Sequence, residues 1–305
     1  METRENGHGA STNSRLMFIV VMASLAMVAF AANSLLTRAA FQTTVIDATS
    51  FTAIRVISGA LTLLVIAKLQ GARLKSTQAS WWSAALLFIY VAAFSFAYRD
   101  ISTGAGALVL FASAQLLMIT YGYCNGERTS CWGILMALGG IAAFLVPSAS
   151  APSFSAAALM ALAGFAWGGF SLLGRASESP ISSTAASFLW AVPLALILVL
   201  LQHQSLKVDT QGIIYALLSG SLASAIGYAI WYWVRVQMTA ISAGAVQLSV
   251  PVLSAVLGVM ILSEEISWVS GVSALVTLGG VTWVTLTAKV GHKGRSSADA
   301  EEPSR

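Results

Sequence analysis

The chain has 305 residues, 57% of them hydrophobic and only 9% charged, with a formal net charge of +4 and a mean hydropathy of +0.80. So few charges cannot cover the surface of a water-soluble domain of this size, which excludes a soluble globular protein. The Lys and Arg residues are scattered between apolar runs and form no patch, which excludes nucleic acid as a partner.

The apolar runs are about twenty residues long, the length that crosses a hydrocarbon core of about 30 Å as a helix. Backbone groups cannot stay unpaired in lipid, so each run is predicted to be helical and the fold an all-α membrane protein. In chain order the predicted spans are Leu16–Thr37, Ala48–Leu69, Trp81–Tyr98, Ser102–Tyr123 and Trp132–Val146. Then follow Phe154–Gly174, Ser182–Leu201, Gly212–Val234, Ile241–Leu262 and Val269–Ala288, ten transmembrane helices in all. The run from Leu16 is too long for the apolar core of a cleaved signal. Residues 1–15 and 289–305 read as polar, disordered tails. Counting Lys and Arg in alternate loops puts twelve on one side and three on the other, with Arg55 inside a span. The positive-inside rule then predicts a multi-pass protein of a bacterial-type inner (plasma) membrane with both termini cytoplasmic. Cys124 and Cys131 flank one short loop on the cytoplasmic side, where a disulfide is not expected. Trp81, Trp82, Trp132 and Trp268, near span ends, suit the interfacial belt.

An internal repeat organises these spans. A shift of 137 residues places Phe30 on Trp167, Arg38 on Arg175, Ser102 on Thr239, Glu127 on Glu264 and Ser130 on Ser267. A slightly larger shift places Leu138-Gly139-Gly140-Ile141 on Leu278-Gly279-Gly280-Val281. The division predicts a first repeat over 16–146 and a second over 147–288, each of five helices. An odd number per half makes the copies enter the membrane from opposite sides, an inverted repeat with a binding site between the halves near the midplane.

The stretch from Ser219 to Ser267 carries a family resemblance. It holds a Gly/Ser-rich helix, Tyr228-Ala229-Ile230-Trp231-Tyr232, then Val250-Pro251-Val252, and a helix closing on Ser263-Glu264-Glu265. Tyr98, Ser102 and Asn125-Gly126-Glu127-Arg128 echo it in the first half, and Arg38 and Arg55 fall at similar positions. Across nearly all of 16–288 the chain resembles the EamA-type transporters of the drug/metabolite transporter superfamily. It departs from them at Ala114, followed by Gln115, where a proline is usual, and at Phe30, where a tryptophan is usual. The resemblance implies a ten-helix export carrier, with a cavity lined mainly by the first, third, fourth, sixth, eighth and ninth spans. Some similar carriers move amino acids outward.

The residue inventory gives little room for catalysis. His8, His203 and His292 lie in tails or a loop, and neither metal-ligand spacing, a nucleophile elbow nor a phosphate-binding glycine loop occurs. No enzyme activity, metal or cofactor is expected. For transport, Ser221, Ser224, Tyr228, Trp231 and Arg235 recur every three or four residues and share a helix face, either as a ligand pocket or as a packed helix interface. Gln115 and Gln247 occupy equivalent spans, and a primary amide in hydrocarbon needs a helix partner or a ligand. Pro251 frees the carbonyl of Gln247, either for a substrate ammonium or as the mark of a kink. Asn33 shares a face with Phe30, and Trp167 falls on Phe30 in the repeat. The substrate-binding candidates are therefore Asn33, Gln115, Trp167, Tyr228, Trp231 and Gln247. Arg55 either attracts a carboxylate or extends to the interface and stabilises the bundle, the reading preferred here. Glu264 caps, pairs or gates at a span end. Arg55, Pro251 and Glu264 are grouped as structural or gating residues. No Asp or Glu lies deep in a span to serve as a proton relay. The expected function is secondary transport of a small polar or zwitterionic metabolite, amino acids first, by a monomer or weak homo-oligomer in the lipid bilayer. Efflux of hydrophobic compounds and a non-transporting membrane scaffold are the alternatives.

Overall fold

A computed structural model describes residues 6–71, 78–125, 130–144, 152–174, 180–235, 237 and 246–287. Among these residues every regular element is helical: α1 Asn6–Thr43, α2 Ala48–Leu69, α3 Gln78–Ala97, α4 Thr103–Cys124, α5 Cys131–Phe144, α6 Phe154–Gly174 and α7 Pro180–Leu201. A short turn at His203–Ser205 precedes α8, Thr210–Arg235. The last two are α9, Ser249–Leu262, and α10, Trp268–Thr287. Six of them (α1, α2, α4, α6, α7 and α8) are long and apolar enough to cross a membrane, and the other four contain shorter apolar stretches.

Most predicted spans fall within a few residues of these helices. The larger differences have local causes. Helix α1 begins at Asn6 and ends at Thr43, so part of the predicted polar tail is helical and the first span runs past Thr37. Neither Gly nor Pro occurs between Leu16 and Thr43 to stop it. Helix α8 is not uniformly α: Leu218–Ile226 is π-helical. That widened turn changes the spacing on which the predicted stripe depended, and Ser221 is only half-buried while Ser219, Gly220 and Ser224 are buried. The ninth span, predicted from Ile241, is described from residue 246. It breaks at Leu248 and resumes at Ser249, leaving Pro251 in the first turn of α9, where its missing N–H breaks no helical bond. The predicted tails at 1–5 and 289–305, and Glu127, Arg128, Arg175 and Thr239, lie outside the described residues.

The bundle is apolar outside and more polar within. Leu200, Met260 and Leu275 stand exposed, whereas Asn33, Thr37, Ser58 and Gln115 are buried. Lipid offers no hydrophobic reward for helix contact, so such bundles rely on close approach at small residues. Gly164 and Gly168 on α6 lie against the α4 backbone at Leu110 and Ala114, and Gly220 on α8 lies against the Arg55 carbonyl on α2. Helix α1 packs on α8 and α9, while α6 packs on α3 and α4. Helix α2 touches α8 as α7 touches α3, and α2 pairs with α7, α4 with α9, and α5 with α10. The α5–α10 contact is reciprocal. Gly140 abuts Thr277 and Ser273, and Gly280 abuts Ala137 and Gly133.

Candidate functional site

The centre of the bundle is an aromatic cluster built from α1, α3, α6 and α8. Phe30 on α1 meets Trp167 on α6 edge-on at 6.2 Å, Tyr228 at 5.7 Å and Trp231 at 6.2 Å. Trp167 stacks on Tyr228 with centroids 5.3 Å apart and also contacts Tyr90 of α3 at 5.2 Å. These geometries suit ring quadrupoles, which favour edge and offset contacts. A cavity of about 20 Å³ lies among Phe30, Asn33, Tyr90, Phe111, Trp167 and Tyr228. That is room for about one water, so a metabolite enters only if the rings separate.

Polar groups meet at one edge of this cluster, on the Tyr90 hydroxyl. Arg55 Nη2 donates to it at 3.0 Å and Asn33 Nδ2 at 3.4 Å, while the Tyr228 hydroxyl lies 3.5 Å away. Asn33 is held in turn by the Ser219 hydroxyl, which donates to Oδ1 at 2.7 Å from the π-helical stretch of α8. Arg55 is wholly buried about two turns below its N-cap Asp47. Its guanidinium carbon lies 4.7 Å from the Phe94 ring centroid and 5.4 Å from that of Tyr90, and its Nε and Nη1 have no hydrogen-bond partner. The expected extension of Arg55 to the interface is therefore corrected. Close packing of Gly220 against the Arg55 turn and the facing rings of α3 direct the side chain inward.

One end of the bundle is tied across the two halves of the chain. Ser263 adopts a left-handed φ of 53°, which turns the chain after α9 so that Glu264 faces α4. Its carboxylate accepts from the Thr103 N–H at 2.8 Å, capping α4 in place of the unused Ser102 side chain, and pairs with Arg38 Nε at 3.4 Å. A Cβ on Gly258 would collide with that carboxylate. Arg38 Nη1 also donates to the carbonyls of Tyr98 and Arg99 at 2.9 and 2.7 Å. At the same end Asp47 caps α2 through the N–H groups of Thr49 and Ser50, and accepts the Lys207 N–H at 2.7 Å. Burial pushes the Asp47 carboxyl up, but the Ser50 hydroxyl and the N–H groups of Lys207, Ser50 and Thr49 outweigh it and hold the carboxyl below its usual range.

Of the substrate-binding candidates, Asn33, Trp167, Tyr228 and Trp231 converge on the central cluster. Gln115 is buried on α4 one turn beyond Phe111, outside the residues lining the cavity, and Gln247 is half-buried just before the break at Leu248. Pro251 lines a different space, an apolar groove of about 450 Å³ between α4, α9 and α10 that ends at Glu264 and Glu265. Sequence reading missed Tyr90 and Ser219. The signal for Tyr90 was available, since it precedes Tyr228 by 138 residues, close to the repeat spacing. Among the described residues no group of three or more His, Cys, Asp or Glu is placed to hold a metal.

An all-helical bundle with membrane-length apolar helices and a buried aromatic and polar centre has the make-up of an integral membrane protein. Comparison with known proteins places it further. Residues 154–286 match the EamA-like transporter family. An uncharacterized protein of Pseudomonas aeruginosa is 44% identical over 282 residues, spanning 92% of this chain and 98% of the relative. A protein of known crystal structure superposes with a TM-score of 0.63 at 17% identity over 88% of this chain and 97% of that one, a likeness of fold. The chain belongs to the EamA-like transporter family, within the drug/metabolite transporter superfamily.

Proposed function

We propose that the protein is a ten-span secondary transporter of small metabolites, amino acids foremost, working by alternating access between two inverted five-helix repeats. The observation that carries this reading is the meeting of repeat-related residues at the buried centre. Phe30 touches Trp167, and the Tyr90 and Tyr228 hydroxyls face each other, each pair separated by the repeat spacing. The reciprocal glycine contacts of α5 and α10 also support it. Gly133 abuts Val284 and Gly140 abuts Thr277, so the helices run antiparallel, and antiparallel mates are exchanged by an axis in the membrane plane. Apolar rings with hydroxyl, amide and guanidinium groups at one edge form a site suited to a small amphipathic solute. The ties of Arg38 to Glu264 and of Asp47 to Lys207 hold one end shut, and their release would open it. By charge bias that end is the outer one, leaving both termini cytoplasmic in an inner membrane.

The apolar groove beside α9 favours a second reading, efflux of hydrophobic compounds that enter from the bilayer. Purified protein in proteoliposomes separates the two when offered a panel of labelled amino acids and a hydrophobic dye. Saturable amino-acid flux, absent from protein-free vesicles, is expected. Dye movement without amino-acid flux would favour the second reading, and movement of neither would contradict transport of both classes.

A further inference from the structure

Arg55 is a buried cation whose counter-charge is missing from its surroundings. Among the described residues its hydrogen-bond partner is the Tyr90 hydroxyl, and no carboxylate pairs with it. The half-buried acids of that end stand elsewhere: Asp47 caps α2, Glu264 takes Arg38 and Thr103, and Asp209 caps α8 through the Gly212 N–H with its Oδ1 buried and unpartnered, none of them paired with Arg55. A buried charge is normally kept by pairing, and removal from water makes an unpaired one costly. The rings of Phe94 and Tyr90 cover the guanidinium but do not accept its Nε–H and Nη1–H protons.

The neighbouring groups supply no counter-charge either. The Tyr90 oxygen accepts from both Arg55 and Asn33, which uses its two lone pairs. Asn33 Oδ1 already accepts from Ser219. The Tyr228 hydroxyl also points its proton at the Tyr90 oxygen from 3.5 Å, so the proton left over is that of the Tyr90 hydroxyl. This edge of the cluster therefore presents spare donors and a positive charge, while the lone pairs left on Asn33 Oδ1 and on the Tyr228 oxygen are neutral acceptors that supply no counter-charge.

From this we propose that Arg55 is the anion-recognising group of the central site, and that the transported solute carries a carboxylate which supplies the missing counter-charge. This assignment rests on the transport reading above and narrows its substrate class. Nη2 gives one proton to Tyr90, and its other proton lies parallel to the free Nε–H or Nη1–H beside it, a pair of donors that matches the two oxygens of a carboxylate. An amino acid would place its ammonium away from Arg55, over the aromatic faces of Trp167 or Tyr228. A simple organic cation meets like charge and donor groups at this edge, so the site discriminates against it.

The test uses three probes that share a phenyl ring and differ in head group: 3-phenylpropionate, 3-phenylpropanamide and 2-phenylethylammonium. Binding to the full chain in nanodiscs is read from quenching of tryptophan fluorescence, for wild type, Arg55→Gln and Arg55→Lys, beside labelled amino-acid flux in vesicles. Wild type is expected to bind the carboxylate about tenfold or more tightly than the amide, the scale of hydrogen bonds to a charged group, with the ammonium weakest. Arg55→Gln should remove the preference, bringing the carboxylate to the level of the amide in the same variant, and Arg55→Lys should keep part of it. The wild-type comparison needs no variant to fold. Carboxylate preference absent in wild type, or retained in Arg55→Gln, overturns the assignment. If wild-type vesicles still carry labelled amino acids in that case, the anion assignment alone fails; if they carry none and none of the three probes binds, the transport reading fails with it.

Discussion

At the scale of single residues, the central cluster separates groups that sequence alone treated as equals. Trp231 and Gln247 both recur with polar or aromatic neighbours on apolar helices, yet Trp231 packs on Phe30 at 6.2 Å whereas Gln247 is half-buried beside a helix break and outside the residues lining the central cavity. Removing a ring or hydrogen-bonding group that contacts solute costs on the order of 1–3 kcal/mol, which corresponds to roughly a five- to hundredfold loss of affinity. Trp231→Ala should lose affinity on that scale while Gln247→Ala keeps it, with both measured per folded molecule by equilibrium binding. Equal loss in the two variants would contradict the placement of the site. Tyr90 was missed because a lone tyrosine in an apolar run carries no local signature. Its meaning comes from three groups, Arg55, Asn33 and Tyr228, that arrive from three other helices. Arg55 itself was visible as a charge within a span, but whether it reached outward or inward depended on the packing of α8 against its turn.

At the scale of helices, hydropathy located the elements well because lipid permits so few backbone solutions. It could not foresee the π-helical turn of α8, which lies where α8 packs on α2 and α1 and leaves the apolar pattern unchanged. Nor could it foresee the long α1, which lacks a stop signal. Glycine pattern was legible, and its contacts explain it. A Cβ on Gly280 would approach Gly133 O at 2.8 Å and Met136 Cβ at 2.9 Å, while Gly279 has nothing within 4 Å. Overpacking of this kind costs about 1–3 kcal/mol. Gly280→Ala should therefore lower the melting temperature in detergent, and Gly279→Ala should not. If both are harmless, α5 and α10 are not held by close backbone approach.

Helix α2 gives a pH-dependent test at the same scale. The Asp47 carboxyl is held below its usual value of 3.8, so the stabilisation it supplies is fully present above about pH 3.8 and is lost as pH falls through the lower folded value. Asp47→Ala, which removes an N-cap worth about 0.5–2 kcal/mol, should melt lower than wild type at pH 7, with the gap shrinking below about pH 4. A gap that stays constant down to the acid limit would show that Asp47 is not acting as an ionised cap.

At the scale of the whole molecule, two of the contacts between the halves of the chain bear on opening. At the centre they enclose a space of about 20 Å³, too small for a metabolite. At one end they are held by Arg38, Glu264, Asp47 and Lys207. On the alternating-access reading proposed above, one end must release and the rings part to expose the centre, with the reverse motion for the opposite end. Ala223 lines the central cavity on α8, and Cys124 and Cys131 are exposed free thiols that can be replaced. The direct measurement is the reactivity of Ala223→Cys, in a chain with Cys124→Ala and Cys131→Ala, toward a membrane-impermeant thiol reagent applied to right-side-out and to inside-out vesicles. Alternating access requires slow labelling from both faces, reduced by a transported amino acid. Labelling from one face alone, unchanged by any solute carried in the vesicle assay, would contradict a central site that opens to each side in turn.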